Sequence, residues 1–181
     1  MKLESERLIL RRWLQNDLQP FTRMNTDPHV MRFFPGLLSP EESSALFQRL
    51  DAHFETHGFG VWALELKSTG DWIGFAGLGV CPFDAHFTPA VELGWRLLSE
   101  FQGKGYATEA AKVACTFAFK NVGLEELVAF TVPINQPSRR VMEKLGMTNN
   151  ERESFQHPLL PADHPLKEHV LYRLPRQSWK F

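Results

Sequence analysis

The stretch Gln102-Gly103-Lys104-Gly105-Tyr106-Ala107 joins an apolar run to an alanine-rich one. Glycine accepts positive φ, so two glycines around one lysine let the backbone turn tightly and aim several N–H groups at one point. A helix starting behind them adds the positive end of its dipole. That combination can cradle a phosphate. A nucleoside-triphosphate loop is excluded, because no Gly-Lys-Ser/Thr ending follows. The dinucleotide fingerprint fails too, because Thr108 stands where its third Gly or Ala belongs. A pyrophosphate cradle of another type fits the residues, and a tight packing turn is the structural alternative. Elsewhere, His53 and His57 have the four-residue spacing for shared ligation on a helix, but no third ligand is evident and no metal is expected. His157, His164 and His169 fall in a proline-broken tail that a loop beside an acceptor site could occupy. No Ser-His-Asp or Cys-His arrangement stands out.

The surrounding pattern supplies the elements that must hold this turn. Leu8-Ile9-Leu10 reads as a first strand, and Asp17 as the cap of a short helix from Leu18. Ser39-Pro40-Glu41-Glu42 is a helix start with a capping hydroxyl, proline in the first position and acids at the positive dipole end. Leu46, Phe47, Leu50 and Phe54 follow at helical spacing, and Gly58 ends the run. Residues 61–66 and 72–80 flank Ser68-Thr69-Gly70-Asp71 as a hairpin, and 91–98 makes a further strand. Residues 107–121 read as a helix with Ala107, Ala110, Ala111, Ala114 and Ala118 on one side, stopped by Gly123. A strand at 127–132, a short helix from Pro137 to Leu145-Gly146, and strands near 151–156 and 168–174 complete the chain. The expected fold is a mixed α/β (α+β) domain: a mainly antiparallel central sheet of about seven strands, flanked by about four helices.

The 181 residues make one domain, 1–181, with no repeat or linker. With 43% hydrophobic and 23% charged residues the chain is a folder rather than a disordered polymer. A formal net charge of -1 supplies no global basic field to draw it to nucleic acid. Two cysteines, Cys81 and Cys115, make no secreted disulfide framework and favour a reducing compartment. The first residues carry no apolar signal core, and no run reaches the roughly 20 apolar residues of a membrane helix, so a cytoplasmic location away from membranes is expected.

With this context the glycine turn resembles the acyl-CoA pyrophosphate loop of the GNAT superfamily of N-acetyltransferases. Gln102-x-x-Gly105-x-Ala107 follows Val91-Glu92-Leu93-Gly94-Trp95-Arg96-Leu97, and residues 135–147, from Asn135-Gln136-Pro137-Ser138 to Leu145-Gly146-Met147, resemble the superfamily's second signature. Glu6-Arg7-Leu8-Ile9-Leu10-Arg11 resembles the branch holding ribosomal-protein N-terminal acetyltransferases. The three matches occur in register over nearly the whole chain.

The resemblance implies an enzyme that moves an acetyl group from acetyl-CoA to a primary amine, by direct transfer in a ternary complex. The acceptor would be a protein N-terminus or a small-molecule amine, and a homodimer is a common assembly of similar proteins. Trp95, Arg96 and Leu97 would pair their backbone with the pantetheine arm as an added strand does. Gln102, Gly103, Lys104, Gly105, Tyr106 and Ala107 would hold the pyrophosphate. Asn135 would hydrogen-bond the pantetheine arm, with helix capping as its structural alternative. Ser138 would give a proton to the departing thiolate. Met142 departs from the pattern, since many members carry a tyrosine acid there and Met has no proton to give. Glu92 is the candidate base, alone or through water. A lysine-like ammonium with a pKa of about 10.4 has only about one molecule in 2,500 neutral at pH 7, and an α-amino group at roughly 7.7–8.0 is far easier. A backbone N–H near Leu97 would hold the oxyanion. A non-catalytic CoA-binding sensor or partner protein is the alternative, distinguished by acetyl-CoA consumption across an amine panel.

Overall fold

The computed structural model describes residues 2–180. The strands are β1 (Leu3–Glu4), β2 (Leu8–Arg11), β3 (Val61–Leu66), β4 (Trp72–Val80), β5 (Val91–Leu97), β6 (Glu126–Thr131), β7 (Thr148–Asn149), β8 (Phe155–Gln156) and β9 (Glu168–Pro175). The helices are α1 (Leu18–Asn25), the single turn α2 (Pro28–Met31), α3 (Pro40–His57), α4 (Tyr106–Phe117) and α5 (Gln136–Lys144). The sheet runs β1-β2-β3-β4-β5-β6-β9-β7, with β8 on β9. Every pairing is antiparallel except β5 with β6, which are parallel and register at one residue pair, Glu92 with Val128. The count exceeds the expected seven strands and four helices because β1, β7 and β8 are two residues long and α2 is one turn.

Local chemistry explains the element borders. Ser39 Oγ accepts the Glu42 N–H while the Glu42 carboxylate accepts the Ser39 N–H, a capping box that starts α3. Gly58 ends α3 at φ 73. Asp17 precedes α1 as expected, but its carboxylate does not cap that helix. It accepts from the Leu14 N–H at 2.8 Å and from Arg11 Nη1 at 2.7 Å, so it ties the chain to β2 instead. The helix expected over 107–121 is α-helical only to Phe117; residues 118–122 form a wider π turn before Gly123, at φ 79, stops it. The strand expected near 151–156 is interrupted, because Asn150 caps a 3-10 turn over Glu151–Glu153 through the Arg152 N–H.

Both sheet faces are covered. On one, α1 and α3 bring Phe21 and Phe47 against Trp13, Trp72 and Phe75 in edge-on and tilted contacts. On the other, Ala110, Ala111, Ala114 and Ala118 are fully buried, so small side chains let α4 and its π turn lie close to the strands. A second apolar cluster joins Cys81, Phe87, Val128, Phe155 and Leu171 beside the β5–β6 junction. Among the aromatics, Trp62, Trp72 and Phe87 are core residues, whereas Phe33 and Phe34 line the cleft.

Candidate active site

Past Glu92 and Val128, β5 and β6 diverge. β5 remains paired to β4 through Leu97. Backbone groups of a strand alternate sides, and Leu98 N–H reaches Ile73 O on the β4 side at 3.0 Å. Trp95 and Leu97 therefore turn their N–H and C=O groups into the gap. Gln102 Nε2 donates to Leu97 O at 3.0 Å and closes the strand end onto the glycine turn. The gap opens into a cleft of about 630 Å³.

The glycine turn forms one wall of this cleft. Gly103 (φ 75) and Gly105 (φ 85) both occupy the left-handed region, and Gly105 is the N-terminal cap of α4. Gln102, Gly103, Gly105, Tyr106 and Ala107 line the cleft with Trp95, Arg96 and Leu97. Lys104 does not; its ammonium lies 5.5 Å from the Phe101 ring and its carbonyl accepts from Arg7 Nη1 at 3.1 Å.

The opposite wall is the start of α5. Asn135 caps it, accepting the Ser138 N–H at 3.3 Å and donating to Thr131 Oγ1 at 2.9 Å. The capping alternative is thus realised, and one Nδ2 hydrogen remains for a ligand. Ser138 lines the cleft, and its hydroxyl makes no hydrogen bond among the described residues. Met142 is 2% exposed and faces the core. Tyr172 lies away from the cleft, with its hydroxyl held between Arg139 Nε and Glu143 Oε1. That leaves Tyr106 as the tyrosine on the cleft wall.

The charge of this cleft was not apparent from the chain. Arg32, Arg96, Arg140 and Lys144 line it, and among the described residues no Asp or Glu does. A concave site with one sign of charge focuses the field on an anionic ligand even in a chain near neutrality. Arg140 and Lys144 sit four apart on α5, a spacing that could have been read from the sequence. Arg32 and Arg96 could not. Arg96 Nη1 donates to the buried Asn25 Oδ1 at 2.7 Å and its guanidinium lies 4.0 Å from the Phe34 ring. Its Nε is buried without a partner, and burial lowers its pKa to about 10. Asn25 in turn donates to the buried Ser43 at 3.2 Å, so Arg96 ties β5 to α1 and α3 and holds Phe34 over the cleft.

Glu92 lies outside the wall of this cleft, four residues up β5 from Arg96 and on the same face. Gly79 stands opposite it in register and Gly94 follows two residues along. A Cβ at Gly79 would meet nothing within 4 Å, and one at Gly94 would meet only Glu92 Oε1, at 3.9 Å. The carboxylate therefore overlooks a shallow floor made by two glycines. Glu92 retains some surface exposure on that side. Protein atoms crowd it elsewhere and no cation among the described residues pairs with it, so desolvation raises its pKa to about 7. The neighbouring Cys81 thiol is pushed up to about 12, by burial first and by Glu92 second.

His53, His157 and His169 serve the framework, whereas His29 lines the cleft. His53 Nδ1 lies 2.8 Å from Phe59 O and His53 Nε2 accepts the Val80 N–H at 3.1 Å, so both ring nitrogens are taken by backbone. His157 and His169 pack on Phe83, Phe130 and Phe155, and desolvation lowers both their pKa values, that of His169 to about 4. Among the described residues no helix is long and apolar enough to cross a membrane.

The sequence profile described as "Acetyltransferase (GNAT) domain" matches residues 7–148. The "Uncharacterized N-acetyltransferase YnaD" of Bacillus subtilis (strain 168) is 28% identical over 180 residues, covering 99% of each chain. A crystal structure of an acetyltransferase from Agrobacterium tumefaciens superposes with a TM-score of 0.79 at 29% identity, covering 96% of this chain and 94% of that one. The ribosomal-protein-S5-alanine acetyltransferase of Vibrio fischeri shares the fold, with a TM-score of 0.75 at 21% identity over all of both chains.

Proposed function

The chain belongs to the GNAT acetyltransferase family, and from that premise we propose that it transfers an acetyl group from acetyl-CoA to a primary amine in a ternary complex. One observation carries the reading: the β5–β6 gap opens onto a left-handed glycine turn, in a cleft whose charged side chains are all cationic. Coenzyme A fits those residues, since it joins an extended amide arm to a polyanionic head. Trp95 offers its N–H and C=O to the arm and Leu97 its N–H, the Leu97 carbonyl being held by Gln102. Gly103 to Ala107 offer amides at a helix N-terminus to the pyrophosphate, with Arg140 and Lys144 facing them. Bound there, it supplies an activated acetyl thioester.

The protein's part of the chemistry begins with Glu92. An ordinary carboxyl at 4.5 would take a proton from an α-ammonium at roughly 7.7–8.0 against a gap of more than three pKa units; with Glu92 at about 7 the gap is about one. The freed amine attacks the thioester carbon, forming the C–N bond as the C–S bond breaks, and the nitrogen gives up its second proton to water to become the amide. A backbone N–H of the Trp95–Leu97 stretch holds the developing oxyanion. Ser138 Oγ gives its proton to the leaving sulfur and is reprotonated from water, while Glu92 returns its proton to solvent. Direct transfer is favoured over an acyl-cysteine route because Cys81, the thiol beside Glu92, has its pKa at about 12 and holds no thiolate. An α-amino acceptor, peptide or small molecule, suits this base better than a lysine side chain.

The test is calorimetric titration with acetyl-CoA, with ATP and NADH as controls, followed by acetylation of a panel of peptide and small-molecule amines. Selective micromolar binding with consumption of acetyl-CoA is expected. Absence of binding would reduce the glycine turn to a packing feature, and binding without consumption would leave a sensor.

A further inference from the structure

Gly103 has nothing within 4 Å of where a Cβ would stand, so no packing fixes the conformation of the glycine turn there. What fixes it comes from about a hundred residues away in sequence. Arg7 lies just ahead of β2, and its Nη1 donates to Lys104 O at 3.1 Å. The guanidinium also lies 4.4 Å from the Tyr106 ring, and a Cβ on Gly105 would stand 3.4 Å from Arg7 Nη2. Two further donors go to Glu109 in the first turn of α4: Nε to Oε2 at 2.7 Å and Nη2 to Oε2 at 2.6 Å. Glu109 Oε1 accepts from the Arg7 backbone N–H at 2.8 Å and from Ser5 Oγ at 2.7 Å.

We propose that Arg7 is a positioning residue that sets the Lys104–Gly105 peptide in the orientation that receives the pyrophosphate, an inference that rests on the cradle assignment above. In a trans peptide the C=O and the following N–H point in opposite directions. Pinning the Lys104 carbonyl outward onto Arg7 therefore turns the Gly105 N–H the other way, and Gly105 lines the cleft. With Gly105 on one side of it and Gly103 one residue before it, that peptide could otherwise rotate readily. Arg7 is not itself a phosphate ligand in this arrangement, because it does not line the cleft and three of its five donors are held by Glu109 and Lys104. Its charge is matched by Glu109, so the pair contributes orientation rather than net field.

The experiment compares CoA, which carries the pyrophosphate, with pantetheine, which does not. Both are titrated calorimetrically into the wild-type chain and into Arg7→Gln, Arg7→Lys and Glu109→Gln. Arg7→Gln should weaken CoA binding about tenfold or more, the worth of one hydrogen bond from a charged group, and change pantetheine binding less than about twofold. Arg7→Lys should weaken CoA similarly, since one ammonium cannot span the Glu109 carboxylate and the Lys104 carbonyl together. Glu109→Gln keeps the side-chain shape and carries the test if the Arg7 variants fold poorly. Equal losses for both ligands, unchanged CoA affinity, or full recovery by lysine would each overturn the proposal. If the wild-type chain binds pantetheine but gains nothing from the pyrophosphate, the cradle assignment itself fails, and this inference fails with it.

Discussion

Replacing Glu92 by Gln should make the protein more stable and less active at the same pH. The folded-state carboxyl lies at about 7 against an ordinary 4.5, so between those values the folded state binds a proton that the unfolded chain releases. A raised acid therefore costs nothing below about pH 4.5, and its ionised form costs progressively more up to about pH 7. The full difference is about 3 kcal/mol. Its partial opening above Gly79 and Gly94 lets water screen the charge, so about 1–3 kcal/mol is the expected penalty at pH 8. Gln has the same shape and no charge. The variant should match the wild type at pH 5 and melt higher at pH 8, by about 2–4 °C for each kcal/mol in a chain of this size. Over the same range, wild-type kcat should rise through about pH 7 as the base ionises, and the variant should lose about 10²–10⁴ of it. Acetyl-CoA affinity should not change. Thermal melts at pH 5 and 8 and a pH–rate profile test both halves. A variant that is destabilised equally at both pH values would refute the reasoning, because it would mean that the carboxylate is paired and its pKa ordinary.

Three further outcomes follow from the cleft. Gly105→Val places a branched side chain at φ 85 and against Arg7, so it should cost about 1–3 kcal/mol of stability in backbone strain and weaken CoA binding; unchanged affinity by calorimetry would remove the turn from the site. Arg140→Glu should weaken acetyl-CoA binding at least tenfold at low salt and by less at 0.5 M salt, since part of the effect is screened; a salt-independent loss would point to a fold defect. Cys81→Ala should keep kcat within about twofold, at about 1 kcal/mol of stability for the lost buried sulfur; loss of turnover, with a thioester on Cys81 detectable by mass in the wild type, would replace direct transfer by an acyl-enzyme.

Much of the scaffold is legible because it rests on local rules. The Ser39 capping box, the Gly58, Gly123 and Gly146 stops and the alanine face of α4 each follow from residues within a few positions of one another. The glycine turn is legible for the same reason. What fails is whatever depends on a distant partner. Asp17 has the right residue type and place for a helix cap, but Arg11 and the Leu14 N–H compete for its carboxylate and win. The 151–156 stretch is short enough for one Asn150 cap to override its strand pattern. Glu109 reads as a solvent-side helix residue by periodicity, yet Arg7 and Ser5 converge on it. The cationic cleft does not show in a near-neutral composition because its charges come from three separate segments, of which only the Arg140–Lys144 pair is local.

The site's division of labour reduces to the alternation of one strand. Along β5 the odd residues Trp95 and Leu97 turn their backbone groups into the gap, while the even residues Glu92, Gly94 and Arg96 turn their side chains to the face that carries α1. Backbone pairing with an extended ligand is indifferent to side-chain identity, so those odd positions can also pack the core beneath, as the buried Leu97 does. The even positions are free to carry chemistry: an acid left without a counter-ion, a glycine that keeps space above the sheet, and an arginine that holds Phe34 over the cleft. Inserting one residue between Glu92 and Trp95 would exchange these roles. It would send Arg96 toward α4 and leave the ligand's backbone partners facing β4. The strand can serve both substrates only while its register with β4 holds, and the seven residue pairs of that ladder, from Gly74 with Leu97 to Val80 with Val91, maintain it.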